Sequence, residues 1–319
     1  VSQNGHSLNE QLPYRNGSLS AVDEALLQQL CYGVCRWQIR LMYLVRPLLS
    51  KPIKEKDSDV LMLLLLGLYQ LAFMRTPAHA AINETVNAVK VLGKPWARGL
   101  INAVLRRFQR EQQQIIDKAT SSAPYQHSHP VWLLNRLQTA WPDQWEEIIK
   151  ANNAKGPMTV RVNERKIDRQ AYLTKLTQKG IAAQHCNWSS QGLTLTQPCP
   201  VMDLPAFTDG EVSIQDEAAQ LAACLLRALP GQRVLDACSA PGGKCCHILE
   251  LEPEISELWA VELNAARQEK TNAKLERLQL HAHWITTAVT DPDDRQDGSL
   301  FARIMIDAPG YATGVISRH

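Results

Sequence analysis

The stretch of this chain best equipped for chemistry is Asp236-Ala-Cys-Ser-Ala-Pro-Gly-Gly-Lys244. It follows a short apolar run, residues 233–238, and leads into a helical pattern, so it is expected to link a strand to a helix. Gly242 and Gly243 let the backbone come close to a ligand. The helix after them offers unpaired N–H groups and the positive end of its dipole. In open α/β sheets a nucleotide-like ligand sits at such a place, outside the carboxyl ends of the strands. The next apolar run, residues 257–263, carries Glu262 near its end, where a carboxylate can accept two hydrogen bonds from ribose hydroxyls. Phosphate-loop patterns fit less well: the loop is not GxGxxG, and the adjacency of Gly242 and Gly243 breaks GxxxxGK[ST]. A tight turn without a ligand is the plainer alternative. The loop and Glu262 together favour a ligand, lined by Cys238, Ser239, Ala240, Pro241, Gly242, Gly243 and Lys244. Asp307 ends a further strand candidate, residues 301–307, at the same edge of the sheet. There it could hold the amino and ring nitrogens of a base, as acids accept from the cytosine amino group, or cap a following helix. Its position leaves both open.

The elements that must position these residues begin at Val212. A helix over 213–229 leads to a strand at 233–238. A helix at 244–253, a strand at 257–263, a helix at 264–280 and strands at 282–287 and 301–307 follow. Strand, glycine loop, helix, and strand ending in an acid make a doubly wound α/β unit. Residues 21–118 have the 3.6-residue period of a helical bundle. Its most apolar helix, 60–74, is shorter than the ~20 residues of a membrane span and contains Gln70. Between these parts, 158–163 and 192–196 alternate like strands, and Asp168 to Lys179 forms a helix closed by Gly180. The expected organisation is a helical domain at 1–130, a small α+β domain at 131–210 and an α/β domain at 211–319.

The net charge of +2 hides an asymmetry. Residues 1–130 carry 15 Lys and Arg against 9 Asp and Glu, whereas residues 211–319 carry 10 against 16. A basic front and an acidic back fit a polyanion-binding module joined to a domain that holds something else, although ordinary surface variation reaches the same values. Arg98, Arg106, Arg107 and Arg110 form a basic edge on the amphipathic stretch 97–116. A solvated helix face and a phosphate-contacting face are the two readings of it. The eight cysteines have neither disulfide-framework nor zinc spacing, so reduced thiols in a cytoplasmic protein, without metal, are expected. The first residues contain no targeting pattern.

These motifs resemble those of the RsmB (Sun/Fmu) family of bacterial 16S ribosomal RNA cytosine-5 methyltransferases. The resemblance covers nearly the whole chain. "GLYQLAFMRTPAHAAINETVNAVK" and "ARGLINAVLRRFQR" are similar to its NusB-like RNA-binding domain. "HPVWLLNRLQTAWPDQWEEIIKANN" and "PMTVRVN" are similar to its middle segment, and "VSIQDEAAQ", "LDACSAPGGK" and "IDAPGYATGVISRH" to its methyltransferase motifs. The resemblance implies three parts: an all-α NusB-like bundle, a small α+β domain and a Rossmann-like methyltransferase domain truncated at its C-terminal side. It further implies S-adenosylmethionine as cofactor, 16S ribosomal RNA as partner, and a monomer with no membrane association.

In the family, a cysteine thiolate adds to C6 of cytosine, C5 takes the methyl group, and a base removes the C5 proton. One cysteine, which aids release, follows Asp-Ala-Pro in the fourth strand; the nucleophile lies in a Thr-Cys-Ser motif further on. Here Gly310 stands at the first position, and the second motif would fall beyond His319. The acid that ends the third strand in the family falls at Ala288, and the acid before the fourth strand's arginine is Ala302. Cys238 matches a family position in the cofactor loop, where a small packed residue suffices. The resemblance therefore implies a cofactor-binding set of Cys238 to Lys244, Glu262, Ala288 and Asp307, with no catalytic residue among the 319. Two functions stay open: an RNA cytosine-5 methyltransferase by descent that does not turn over, and a non-catalytic RNA-binding remnant. A fragment and a decayed copy both explain the missing cysteines; Gly310, Ala288 and Ala302 favour decay. The four strands, against seven in the family, should leave an exposed apolar edge.

Overall fold

The computed structural model describes Leu8, Leu12, residues 19–288 and residues 299–308. They divide into two compact units, one running to Ala154 and one beginning at Lys155.

The first unit is helical. Ser20 caps α1 (Ala21–Val45) by accepting from the Asp23 amide, and Asp23 and Glu24 add negative charge to the first turn. α2 (Ser58–Phe73) is apolar almost all round and lies at the centre, where Val60, Leu64, Leu65 and Leu68 are fully buried. α3 (Ala78–Ala88) and α4 (Ala97–Ala119) pack on it, α4 through Ile101, Val104, Leu105 and Phe108. Gly67 makes that approach possible, because a Cβ there would lie 2.7 Å from Leu105 Cδ1. The chain turns after α3 through residues 89–93 and closes at Gly93 with φ +63°. Three shorter helices follow: α5 (Ala123–His127), α6 (Val131–Ala140) and α7 (Trp145–Asn153). Among the described residues, no helix is long and apolar enough to cross a membrane.

The second unit contains two four-stranded sheets. The first is antiparallel, in the order β2 (Ala183–His185), β3 (Gly192–Leu195), β1 (Met158–Val162), β4 (Val212–Ile214). Its apolar face packs Val160, Val162 and Leu193 against Tyr172 and Leu176 of α8 (Arg169–Gln178), which Asp168 caps. One sequence expectation is corrected here. The helix expected over 213–229 is instead strand β4 followed by α9 (Glu217–Leu226), which Arg227 ends in the left-handed region at φ 50°. Ser213 and Ile214 join the sheet because β1 offers its free edge, with Arg161 opposite Ser213. Both faces of β1 are covered: Thr159, Arg161 and Asn163 are buried, as are the valines between them.

The second sheet is parallel, in the order β7 (His283–Ile285), β6 (Glu257–Val261), β5 (Arg233–Asp236), β8 (Arg303–Met305). Asp236 lies beside Ala260 and Met305. α10 (Gly243–Leu251) follows β5, and α11 (Ala265–Leu278) follows β6. This is the doubly wound arrangement expected from the sequence. β8 is the edge strand of the described sheet, and Ile304 and Ile306 there are exposed.

Candidate cofactor site

Because all four strands run parallel, their carboxyl ends share one edge. The strand order sets four features side by side there: Ala288 beyond β7, Glu262 beyond β6, the loop 236–244 beyond β5, and Asp307 beyond β8. The structure thus sets the cofactor-site residues read from the sequence along one edge; Gly310, at the position of the family's release cysteine, lies outside the described residues. Ala288 offers only a methyl group, so the β7 position supplies no side-chain acceptor.

Backbone hydrogen bonds tie the loop to its neighbours: Ala237 N to Met305 O (2.9 Å), Ser239 N to Val261 O (3.0 Å) and Gly242 N to Ser239 O (2.7 Å). The peptide between Ala240 and Pro241 is cis. Gly242 has φ +84°, and a Cβ there would sit 2.3 Å from Thr271 Cγ2 on α11. Its missing side chain therefore serves packing against α11. Gly243 is the roomier position, with Gln215 Nε2 3.7 Å from a notional Cβ.

The loop carbonyls are held by cations that sequence reasoning missed. Arg267 Nη2 donates to Ala240 O at 3.3 Å, Lys274 Nζ to Pro241 O at 2.7 Å, and Arg161 Nη1 to Gly243 O at 2.8 Å. Arg267 and Lys274 are seven residues apart on α11, hence on one face, and that spacing was the available signal. No comparable signal marked Arg161, whose strand lies outside the α/β domain.

The charges at the site are uneven. Asp236 is buried and its pKa is pushed up to about 6 by desolvation, against the opposing pull of the Ser239 hydroxyl and the Cys238 amide nearby. Neither Asp236 oxygen nor Ser239 Oγ makes a hydrogen bond of good geometry, although the hydroxyl stands close enough to favour the carboxylate. Glu262 is 7% exposed. One of its oxygens accepts from Asn264 N at 2.9 Å, and the other lies 3.8 Å from Arg267 Nη1. Lys244 Nζ meets Asp307 Oδ2 at 2.5 Å. The edge therefore presents acceptors with spare capacity, which suits a ligand rich in donors, such as one carrying ribose hydroxyls and an ammonium group.

The thiols near the loop are not poised to attack. Burial raises the pKa of Cys238, and Asp236, Glu262 and Asp307 raise it further. Burial holds Cys245 well above its ordinary value and pushes Cys246 up to about 11. No group of three His, Cys, Asp or Glu side chains that could hold a metal occurs among the described residues.

The four arginines of the basic edge separate. Arg98 and Arg106 line one cleft of about 570 Å³ in the first unit, together with His79, Asn83, Asn102 and Gln109. Arg106 Nε donates to Asn102 Oδ1 at 3.0 Å. Arg107, nine residues after Arg98 and so on the opposite side of α4, pairs with Glu111 at 3.0 Å and reaches the Pro47 carbonyl. Arg110 is exposed beyond the cleft lining.

Comparison with known proteins gives three family models in succession: NusB family over residues 1–110, RsmF/B-like ferredoxin-like domain over 129–202, and 16S rRNA methyltransferase RsmB/F over 223–319. The chain is 50% identical over 313 residues to ribosomal RNA small subunit methyltransferase B of Pseudomonas putida, covering 98% of this chain and 72% of that protein. It is 45% identical over 315 residues to the protein of the same name from Vibrio cholerae, covering 99% of this chain and 72% of that one. A solved methyltransferase homolog protein from Pyrococcus horikoshii superposes with a TM-score of 0.55 at 25% identity, over 61% of this chain and 64% of that one. A second solved structure, 17% identical, superposes with a TM-score of 0.72 over 90% of this chain and 66% of its own, a likeness of fold alone.

Proposed function

This chain belongs to the ribosomal RNA small subunit methyltransferase B family, and we propose that it binds S-adenosylmethionine at the loop 236–244 and holds 16S ribosomal RNA, with C5 of a cytosine as the family's target atom. The family's cofactor is S-adenosylmethionine, which supplies a methyl group when bound. The observation that carries the placement is the row of unsatisfied or half-satisfied acceptors along one sheet edge: both Asp236 oxygens, Ser239 Oγ and Glu262. In this reading Glu262 accepts from ribose hydroxyls. Asp236 and Ser239 take donors at the β5 end, and Cys238, Ala240, Pro241 and Gly243 shape the wall. Asp307 binds a base once Lys244 releases it. Ala288 leaves the adenosine side with one acceptor fewer than the resemblance implies, so binding is weaker than in a relative that carries an acid there.

We further propose that these 319 residues do not themselves complete methyl transfer. Addition to C6 of cytosine requires a thiolate within reach. Gly310 has no side chain to supply one, and burial raises the thiols beside the loop above their ordinary pKa. The cleft of Arg98 and Arg106 supports the second reading, in which the helical domain binds RNA without chemistry. The domain limits 1–130, 131–210 and 211–319, a monomeric state and a cytoplasmic location belong to the same proposal. Incubation with tritiated S-adenosylmethionine and undermethylated 16S RNA tests it: incorporation stays at background, and incorporation well above background refutes the inactivity.

A further inference from the structure

We propose that Arg161, on the antiparallel sheet, is a positioning residue for the cofactor loop; this rests on the reading that the loop 236–244 is the cofactor site. Its guanidinium is completely buried. Nε donates to Glu250 Oε2 at 3.0 Å, and Nη2 lies 2.9 Å from the same oxygen. Nη1 donates to Gly243 O at 2.8 Å and also to Gln215 Oε1. Gln215 in turn donates to Ala219 O of α9, and its Nε2 would stand 3.7 Å from a Cβ built on Gly243.

A buried charge is costly unless paired and hydrogen-bonded, so a fully enclosed arginine fixes the position of whatever it holds. Glu250 sits two turns along α10 from Gly243, on the same side of the helix, so the two grip points define how α10 leaves the loop. Arg161 therefore orients the first turn of the helix whose amides face the site, while Arg267 and Lys274 hold the preceding carbonyls of Ala240 and Pro241 from α11. With three carbonyls of the loop tied to three cations, the loop is held in one shape before any ligand arrives. Such preorganisation raises affinity by removing an ordering cost from binding. The buried polar face of β1, Thr159, Arg161 and Asn163, then has a role: one sheet of the second unit braces the site at the edge of the other.

The test uses the full chain and S-adenosylhomocysteine. Replacing the pair together, Arg161→Met with Glu250→Met, leaves no orphaned charge and keeps the volume apolar. The double variant should melt cooperatively, bind S-adenosylhomocysteine at least tenfold more weakly by calorimetry, and exchange the amides of Lys244 to Ile248 at least tenfold faster without ligand. Arg161→Lys with Glu250 intact should recover part of both. A folded double variant with affinity within twofold of the parent and unchanged amide exchange overturns the proposal. If the parent chain gives no binding heat, the assignment of the cofactor site fails, and the exchange rates still decide what Arg161 does to the loop.

Discussion

Replacing Asp236 by Asn should make the protein more stable at neutral pH. The carboxyl is buried at the end of β5 with no well-formed hydrogen bond, and its pKa stands at about 6 against an ordinary 3.8. At about 1.4 kcal/mol per tenfold, the ionised form costs the folded state about 3 kcal/mol. Because the folded carboxyl keeps its proton to higher pH than the unfolded one, its contribution is most favourable below about pH 4. It is lost as pH rises through about 6. An amide in the same place carries no such cost, and its N–H groups can donate to the Ser239 hydroxyl beside it. Urea unfolding of the parent and of Asp236→Asn should therefore give curves that separate by up to about 3 kcal/mol at pH 7.5 and converge at pH 4. Equal stability of the two proteins at pH 7.5, or an Asn variant equally destabilised at both pH values, would refute the reasoning. A carboxylate kept at that cost implies a role in binding, so the stabilised variant should also bind S-adenosylhomocysteine more weakly.

Gly242→Ala should destabilise by about 2 kcal/mol or more in thermal melts, because φ is +84° and Thr271 blocks the new methyl group. Phe108→Ala should cost about 3–5 kcal/mol, since the ring is fully buried in the helical core. Arg106→Ala should weaken RNA binding and lower the slope of log affinity against log salt by about one, read by filter binding. Arg107→Ala, whose guanidinium is already engaged by Glu111, should leave that slope unchanged.

Much of the cofactor edge was legible because glycines and strand-terminal acids leave marks in the sequence. Asp236 and Glu262 close or follow strands where the apolar runs end, and the glycine loop announces the turn to α10. Other features were hidden for definite reasons. The short strand β4 runs straight into the "EAAQLAACLL" helix, and three residues carry too little period to tell strand from helix. Thr159, Arg161 and Asn163 alternate with valines in β1, and no local pattern reveals that a second layer covers them. The four arginines looked like one edge, but at 100° per residue Arg98 and Arg107 face apart, and Glu111 one turn after Arg107 was the clue to its engagement.

The edge formed by the loop 236–244, Glu262 and Asp307 is proposed to bind the family's cofactor. Calorimetric titration of the chain with S-adenosylhomocysteine tests it most directly. Saturable heat with a dissociation constant below the millimolar range is expected, weakened at least tenfold in Glu262→Ala. No heat at millimolar ligand, or an unchanged affinity in a folded Glu262→Ala variant, would contradict it.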